Sequence, residues 1–103
     1  MLSPKFIIEG DSLILSKVIY HRHLATDKTK VKGGGWFRYN DKIKTFIFYG
    51  TSDDFGTAKL EDIKICIKNH KIFTDKYKTH DISNNFNFKY DIGSEIINLK
   101  LQI

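Results

Sequence analysis

Apolar residues along the first half of the chain come in short runs separated by turn-forming stretches. Their spacing predicts strands at "KFII" (5–8), "SLIL" (12–15), "KVIYHRHLA" (17–25), "KVKGGGWFRY" (30–39) and "KIKTFIFYG" (42–50). The intervening "EGDS", "TDKT" and "YNDK" carry the Gly, Asp, Asn and Ser that turns favour. The run 43–49 is apolar at nearly every position, which predicts a central strand covered on both faces. Leu60, Ile63 and Ile67 then switch to helical spacing. Thr57 is the expected N-cap of that helix, Glu61 and Asp62 lie early, and Lys64, Lys68 and His70 lie late, as the helix dipole prefers. Beyond it, "FNFKY" (86–90) sets Phe86, Phe88 and Tyr90 on one side, and "EIINLKLQI" (95–103) does the same with Ile97, Leu99, Leu101 and Ile103. With "DIGS" between them, these two runs predict a closing hairpin. The expected class is α+β: a mostly antiparallel β-sheet with one main α-helix packed on it.

At 103 residues the chain is long enough for a single domain with one core. Hydrophobic residues at 41% and charged residues at 28% exclude a disordered chain. No apolar run approaches the roughly 20 residues of a membrane span, and the N-terminus lacks a secretory pattern. Cys66 is the one cysteine and makes no internal disulfide, so a reducing, cytoplasmic location and no membrane partner are expected. Mid-helix between Ile65 and Ile67, Cys66 reads as a core residue.

Charge changes the picture further. A net charge of +5 favours anionic partners. Lys17, Arg22, Lys28, Lys30, Lys32, Arg38, Lys42 and Lys44 fall within one stretch against only Asp27 and Asp41.

Three constellations carry candidate chemistry. In "YHRH" (20–23), a strand would send His21 and His23 to the same face, as a base near neutral pH or as two ligands of a cation completed by Asp53 or Asp54, with His70 and His80 as blind nominees. In "GGGWF" (33–37), three glycines inside a strand predict either a bulge or bare backbone approached closely by another group. In "YGTSDDFG" (49–56), two glycines bracket Ser52, Asp53 and Asp54 just before the helix, where free amides and the dipole suit an anion.

Taken in order, the Tyr-His pair, the triple glycine and "KIKTFIFYGTSDDFGTAKLEDIK" resemble the Janus family, the phosphohistidine phosphatases. The "GGGWF" and YG-x-S-x-D-F-G patterns are also similar to small bacterial and phage proteins without an assigned activity. The likeness spans residues 5–73, with 74–103 as a C-terminal extension. It implies a phosphatase needing no metal or other cofactor and acting on a phosphorylated protein or another phosphate-bearing ligand. His21 would be its general base. Lys5, Gly35, Arg38, Ser52, Asp53 and Asp54 would line the phosphate pocket, with loop amides holding the phosphoryl oxygens. Four features depart from the family: only eleven residues separate His21 from Gly33, as if "LATDKTKVK" were a tight hairpin; Trp36 and Leu13 stand where the family has arginines, with Arg38 as a substitute for the first; and Asp53 and Asp54 replace neutral loop positions.

A reading from a different class is a binding module. Its basic 17–44 face, with Tyr20, Trp36, Phe37 and Tyr39, would take nucleic acid or an acidic partner. An exposed sheet edge would also allow a homodimer.

Overall fold

The computed structural model describes residues 1–74 and 86–100. Seven strands, β1 (Ser3–Glu9), β2 (Ser12–Val18), β3 (Val31–Asn40), β4 (Thr45–Tyr49), β5 (Ile72–Thr74), β6 (Asn87–Asp91) and β7 (Ile96–Asn98), form one sheet in the order β5-β2-β1-β3-β4-β6-β7. The nine-residue helix α1 (Leu60–Lys68) packs against it.

The sheet is mixed and curled into a half-barrel, and this corrects the expected fold class. β2 pairs with β5 and β4 with β6 in parallel, while the other four pairings are antiparallel. The expectation of a helix on a mostly antiparallel sheet took chain neighbours for sheet neighbours. Hydrophobic period reports which face of a strand is buried but says nothing of the strand beside it. Here the chain crosses over to reach both β5 and β6, which parallel pairing requires.

Alternation assigns the two faces. Leu13 and Leu15 (β2), Phe6 and Ile8 (β1), Phe46 and Phe48 (β4), and Phe88 and Tyr90 (β6) form the core with Ile63, Cys66 and Ile67 of α1. Phe37 and Tyr39 of β3 pack on the same cluster. The intervening residues turn to the other, outer face. One cross-strand row there reads Lys5, Trp36, Tyr49, Asp91 over β1, β3, β4 and β6. Ile7 also lies on this side, yet it is fully buried, because residues 19–30 cross the outer face between β2 and β3.

Several boundaries differ from expectation. The strand expected over 17–25 ends at Val18, and His21–His23 is a single 3-10 turn. Residues 24–32 are not a hairpin, since β1 lies between β2 and β3. Strand 43–49 is central, but Ile43 is exposed, Lys44 has φ 48°, and the outer residues Ile47 and Tyr49 are only half-buried. The helix starts at Leu60 rather than after Thr57, and Lys59 at its N-cap makes no side-chain cap. Thr57 is engaged elsewhere: its hydroxyl donates to Thr51 at 2.8 Å and its backbone bridges to Gly34. The β6–β7 hairpin is present with Phe86, Phe88, Tyr90 and Leu99 buried; Leu101, Ile103 and His80 lie outside the described residues.

Candidate functional site

The triple glycine organises the site by letting two other segments touch β3 on opposite faces. Gly33 has φ 149°, and a Cβ there would fall 2.6 Å from the Thr57 carbonyl oxygen and 2.8 Å from the Ala58 backbone. The chain after the Ser52 turn therefore lies directly on β3, held by the Gly34 amide donating to the Gly56 carbonyl at 3.0 Å. On the outer face, a Cβ on Gly34 would collide with the Phe6 carbonyl and come within 3.3 Å of the His21 ring. The bare backbone meets the protein's own chain on both sides.

His21 fits into this recess. It is buried, its ring stands edge-on to Trp36 at 5.9 Å, and its Nε2–H donates to the Gly35 carbonyl at 2.7 Å. A carbonyl only accepts, so the bond fixes a proton on Nε2. Nδ1 makes no hydrogen bond among the described residues, and none of their buried side-chain nitrogens or oxygens lacks a partner; the Nδ1 edge is therefore the part of the ring that meets solvent. His23, expected on the same face, is exposed and packs its ring against Tyr20. A 3-10 turn sends residues two apart in different directions, where a strand would have aligned them.

The turn 52–56 closes on itself. Ser52 and Gly56 exchange backbone bonds of 3.2 and 2.8 Å, and the buried Ser52 Oγ accepts the amides of Asp54 at 3.2 Å and Phe55 at 3.1 Å. Those amides were expected to face a phosphate; the serine oxygen takes them. Asp54 accepts the Arg22 amide at 3.1 Å and its guanidinium at 3.4 Å, tying the turn to the segment that carries His21. Asp53 is exposed. Imidazole and turn are thus neighbours, but the elements between them are mutually satisfied.

The remaining sequence candidates divide. Lys5 is buried, donates to Ser3 Oγ at 2.7 Å and to the Val18 carbonyl at 3.2 Å, and holds its ammonium 4.2 Å over the Trp36 ring. Arg38 lies farther along β3, over the Tyr49 ring at 5.1 Å and 3.5 Å from Asp91, on the side away from His21. Trp36 and Tyr20 are on the surface, but Phe37 and Tyr39 pack on the core. A stacking surface built from all four does not form, because Trp36 and Phe37 are adjacent in a strand and must face opposite ways. Among the described residues no three His, Cys, Asp or Glu side chains converge to hold a metal, so the reading of His21, His23 and Asp53 as a cation site has no geometry behind it.

Sequence reasoning missed Tyr49 and Asp91. Alternation alone marks them as facing away from Phe48 and Tyr90, but only the parallel β4–β6 register brings them side by side. A cleft of about 500 Å³ opens beside them, at the C-terminal ends of these two strands, lined by Tyr49, Gly50, Thr51, Thr57, Asp91 and Gly93 among others. Of the described residues, no helix is long and apolar enough to cross a membrane. No protein-family model matches the chain, nor does any curated protein or solved structure.

Proposed function

We propose that this chain is a small cytoplasmic binding module that takes single-stranded nucleic acid on its outer sheet face. One observation carries the reading. Trp36 and Tyr49, half-exposed, pair directly across β3 and β4, and each has a cation over its ring, Lys5 and Arg38 respectively. Every base offers a π-face to such a platform, and aromatic rings and guanidinium planes both stack on it. Exposed Arg22, Lys28 and Lys30 lie on the segment that crosses this face and supply charge for the phosphate backbone. Arg22 also stacks on Tyr20 at 4.1 Å, a second cation–ring pair close by.

Trp36 is the only tryptophan, so its fluorescence reports on this face alone. A short oligouridylate is expected to quench it, with affinity falling steeply and log-linearly with salt. Tyr49→Ala should weaken binding without unfolding the protein. Absence of quenching and of an anisotropy change at low salt overturns the proposal, and saturable binding of an acidic peptide instead would reassign the face to a protein partner.

A second reading, hydrolysis of phosphohistidine, is favoured by the fixed orientation of the His21 ring. An Nε2–H anchored on a backbone carbonyl is how a general base is oriented, and Nδ1 would accept the proton of the attacking water. The resemblance to the Janus family points the same way, while the amides spent on Ser52 Oγ argue for the binding module as the first reading. Phosphohistidine turnover that vanishes in His21→Gln, which keeps a donor toward Gly35 but has no base, would establish this reading; no turnover by the wild-type protein would remove it.

A further inference from the structure

We infer that the cleft beside Tyr49 takes the ribose 2′-hydroxyl and makes the module selective for RNA over DNA. The inference rests on the nucleic-acid reading proposed above. The row Trp36, Tyr49, Asp91 runs across three adjacent strands on one face, so a base stacked on Tyr49 has its sugar next to the Asp91 carboxylate. Strands stand about 4.8 Å apart, which matches the offset between a base and its own ribose rather than that between successive nucleotides.

The chemistry of the cleft suits a sugar hydroxyl. Asp91 Oδ1 accepts the Gly93 amide at 2.8 Å and Oδ2 sits 3.5 Å from the Arg38 guanidinium, which fixes the carboxylate and offsets its charge. A carboxylate offers about four lone-pair sites, so two contacts leave capacity for a hydroxyl donor. Thr51 and Thr57, whose hydroxyls bond one another at 2.8 Å, are exposed, also line the cleft and add neutral donors and acceptors. At about 500 Å³ the cleft falls within the range of small-ligand sites. The exposed Arg22, on the segment that crosses the same face, is the cation toward which the phosphate backbone would run.

The test compares oligouridylate, oligodeoxyuridylate and 2′-O-methyl oligouridylate of equal length, read by Trp36 fluorescence. RNA is expected to bind about tenfold more tightly than DNA, the yield of a hydrogen bond to a charged acceptor. The 2′-O-methyl strand keeps an RNA-like sugar but has no donor, so it should bind like DNA. Asp91→Asn should cut the RNA-over-DNA preference to about twofold. Equal binding of RNA and DNA overturns this inference and leaves the nucleic-acid reading standing. Binding of the 2′-O-methyl strand as tightly as RNA overturns the role of Asp91, because sugar geometry alone would then explain the preference. No response to any of the three overturns the parent reading instead.

Discussion

His21 reaches across the outer face of β3 and donates its Nε2–H to the Gly35 carbonyl at 2.7 Å, in a recess that exists because Gly34 has no side chain. That bond joins the crossing segment 19–30 to the centre of the sheet, and it sets the first expected outcome. His21→Ala removes a buried hydrogen bond and leaves a void beside Ile7, so urea unfolding should show a loss of about 2–4 kcal/mol. His21→Gln retains a donor at similar reach and should lose about 1 kcal/mol. Equal losses in the two variants would mean that packing alone holds the segment.

Gly33 should be among the least replaceable positions. An added methyl would sit 2.6 Å from one backbone atom and 2.8 Å from two more, none of which can rotate away. Gly33→Ala is expected to cost about 3 kcal/mol or more. Gly93→Ala is the control. Its φ of 95° is unfavourable, but nothing lies within 4 Å, so about 1 kcal/mol is expected there.

The turn at Ser52 separates a buried polar contact from an exposed one. Ser52→Ala leaves the Asp54 and Phe55 amides without their acceptor and should cost about 1–3 kcal/mol. Asp54→Asn breaks only the half-exposed pair with Arg22 and should stay within about 1 kcal/mol, an effect that shrinks as salt is added. Denaturation midpoints at low and high salt distinguish the two.

Alkaline pH should weaken the fold through two core groups. Burial pushes the Cys66 thiol up to about 12, with the nearby charges of Asp11 and Asp62 adding to it, and burial also raises the Tyr90 phenol. The unfolded chain releases the cysteine proton near its ordinary value of 9.0, whereas the folded chain holds it. Folded protein therefore binds more protons between these limits, and stability is lost as pH rises from 9 toward 12. Wild type should lose more stability over that window than Cys66→Ala. A thiol reagent at neutral pH should react with Cys66 only as fast as the protein opens.

The other strands, the helix and the closing hairpin were legible because each carries its own period, whereas the three-residue β5 is too short to show one and was not predicted. Phe86, Phe88 and Tyr90 alternate, and Leu60, Ile63 and Ile67 recur at helical intervals, so a local pattern sufficed. The partners of β4 and β2 were not legible. Phe46 meets Phe88 and Leu13 meets Ile72 through parallel pairings that no local pattern encodes. The end of β2 was missed because "YHRH" alternates plausibly, while the Gly35 carbonyl that turns His21 inward lies fourteen residues away. Thr57 looked like a helix cap and is instead spent on Thr51 and Gly34, which again is tertiary. For the candidate site, the glycine run lies against His21, and the Ser52 turn is tied through Asp54 to the adjacent Arg22. What they contact is the chain itself, and the surface favoured here, Trp36 with Tyr49 and Asp91, needed the sheet order before it could be seen.

The parallel pairing of β4 with β6 has a consequence for how the protein comes into being. Phe46 and Phe48 lie on β4, but the one ring that stacks on both, at 5.7 and 6.4 Å, is that of Phe88, on β6 far along the chain. During translation β4 must wait, one edge unpaired and its phenylalanines uncovered, until β6 has been made. Such long-range closure slows folding and leaves a sticky seam open to other nascent chains. A gene truncated shortly after Thr74 would make that waiting state permanent, and its product should appear in inclusion bodies rather than as a smaller working domain.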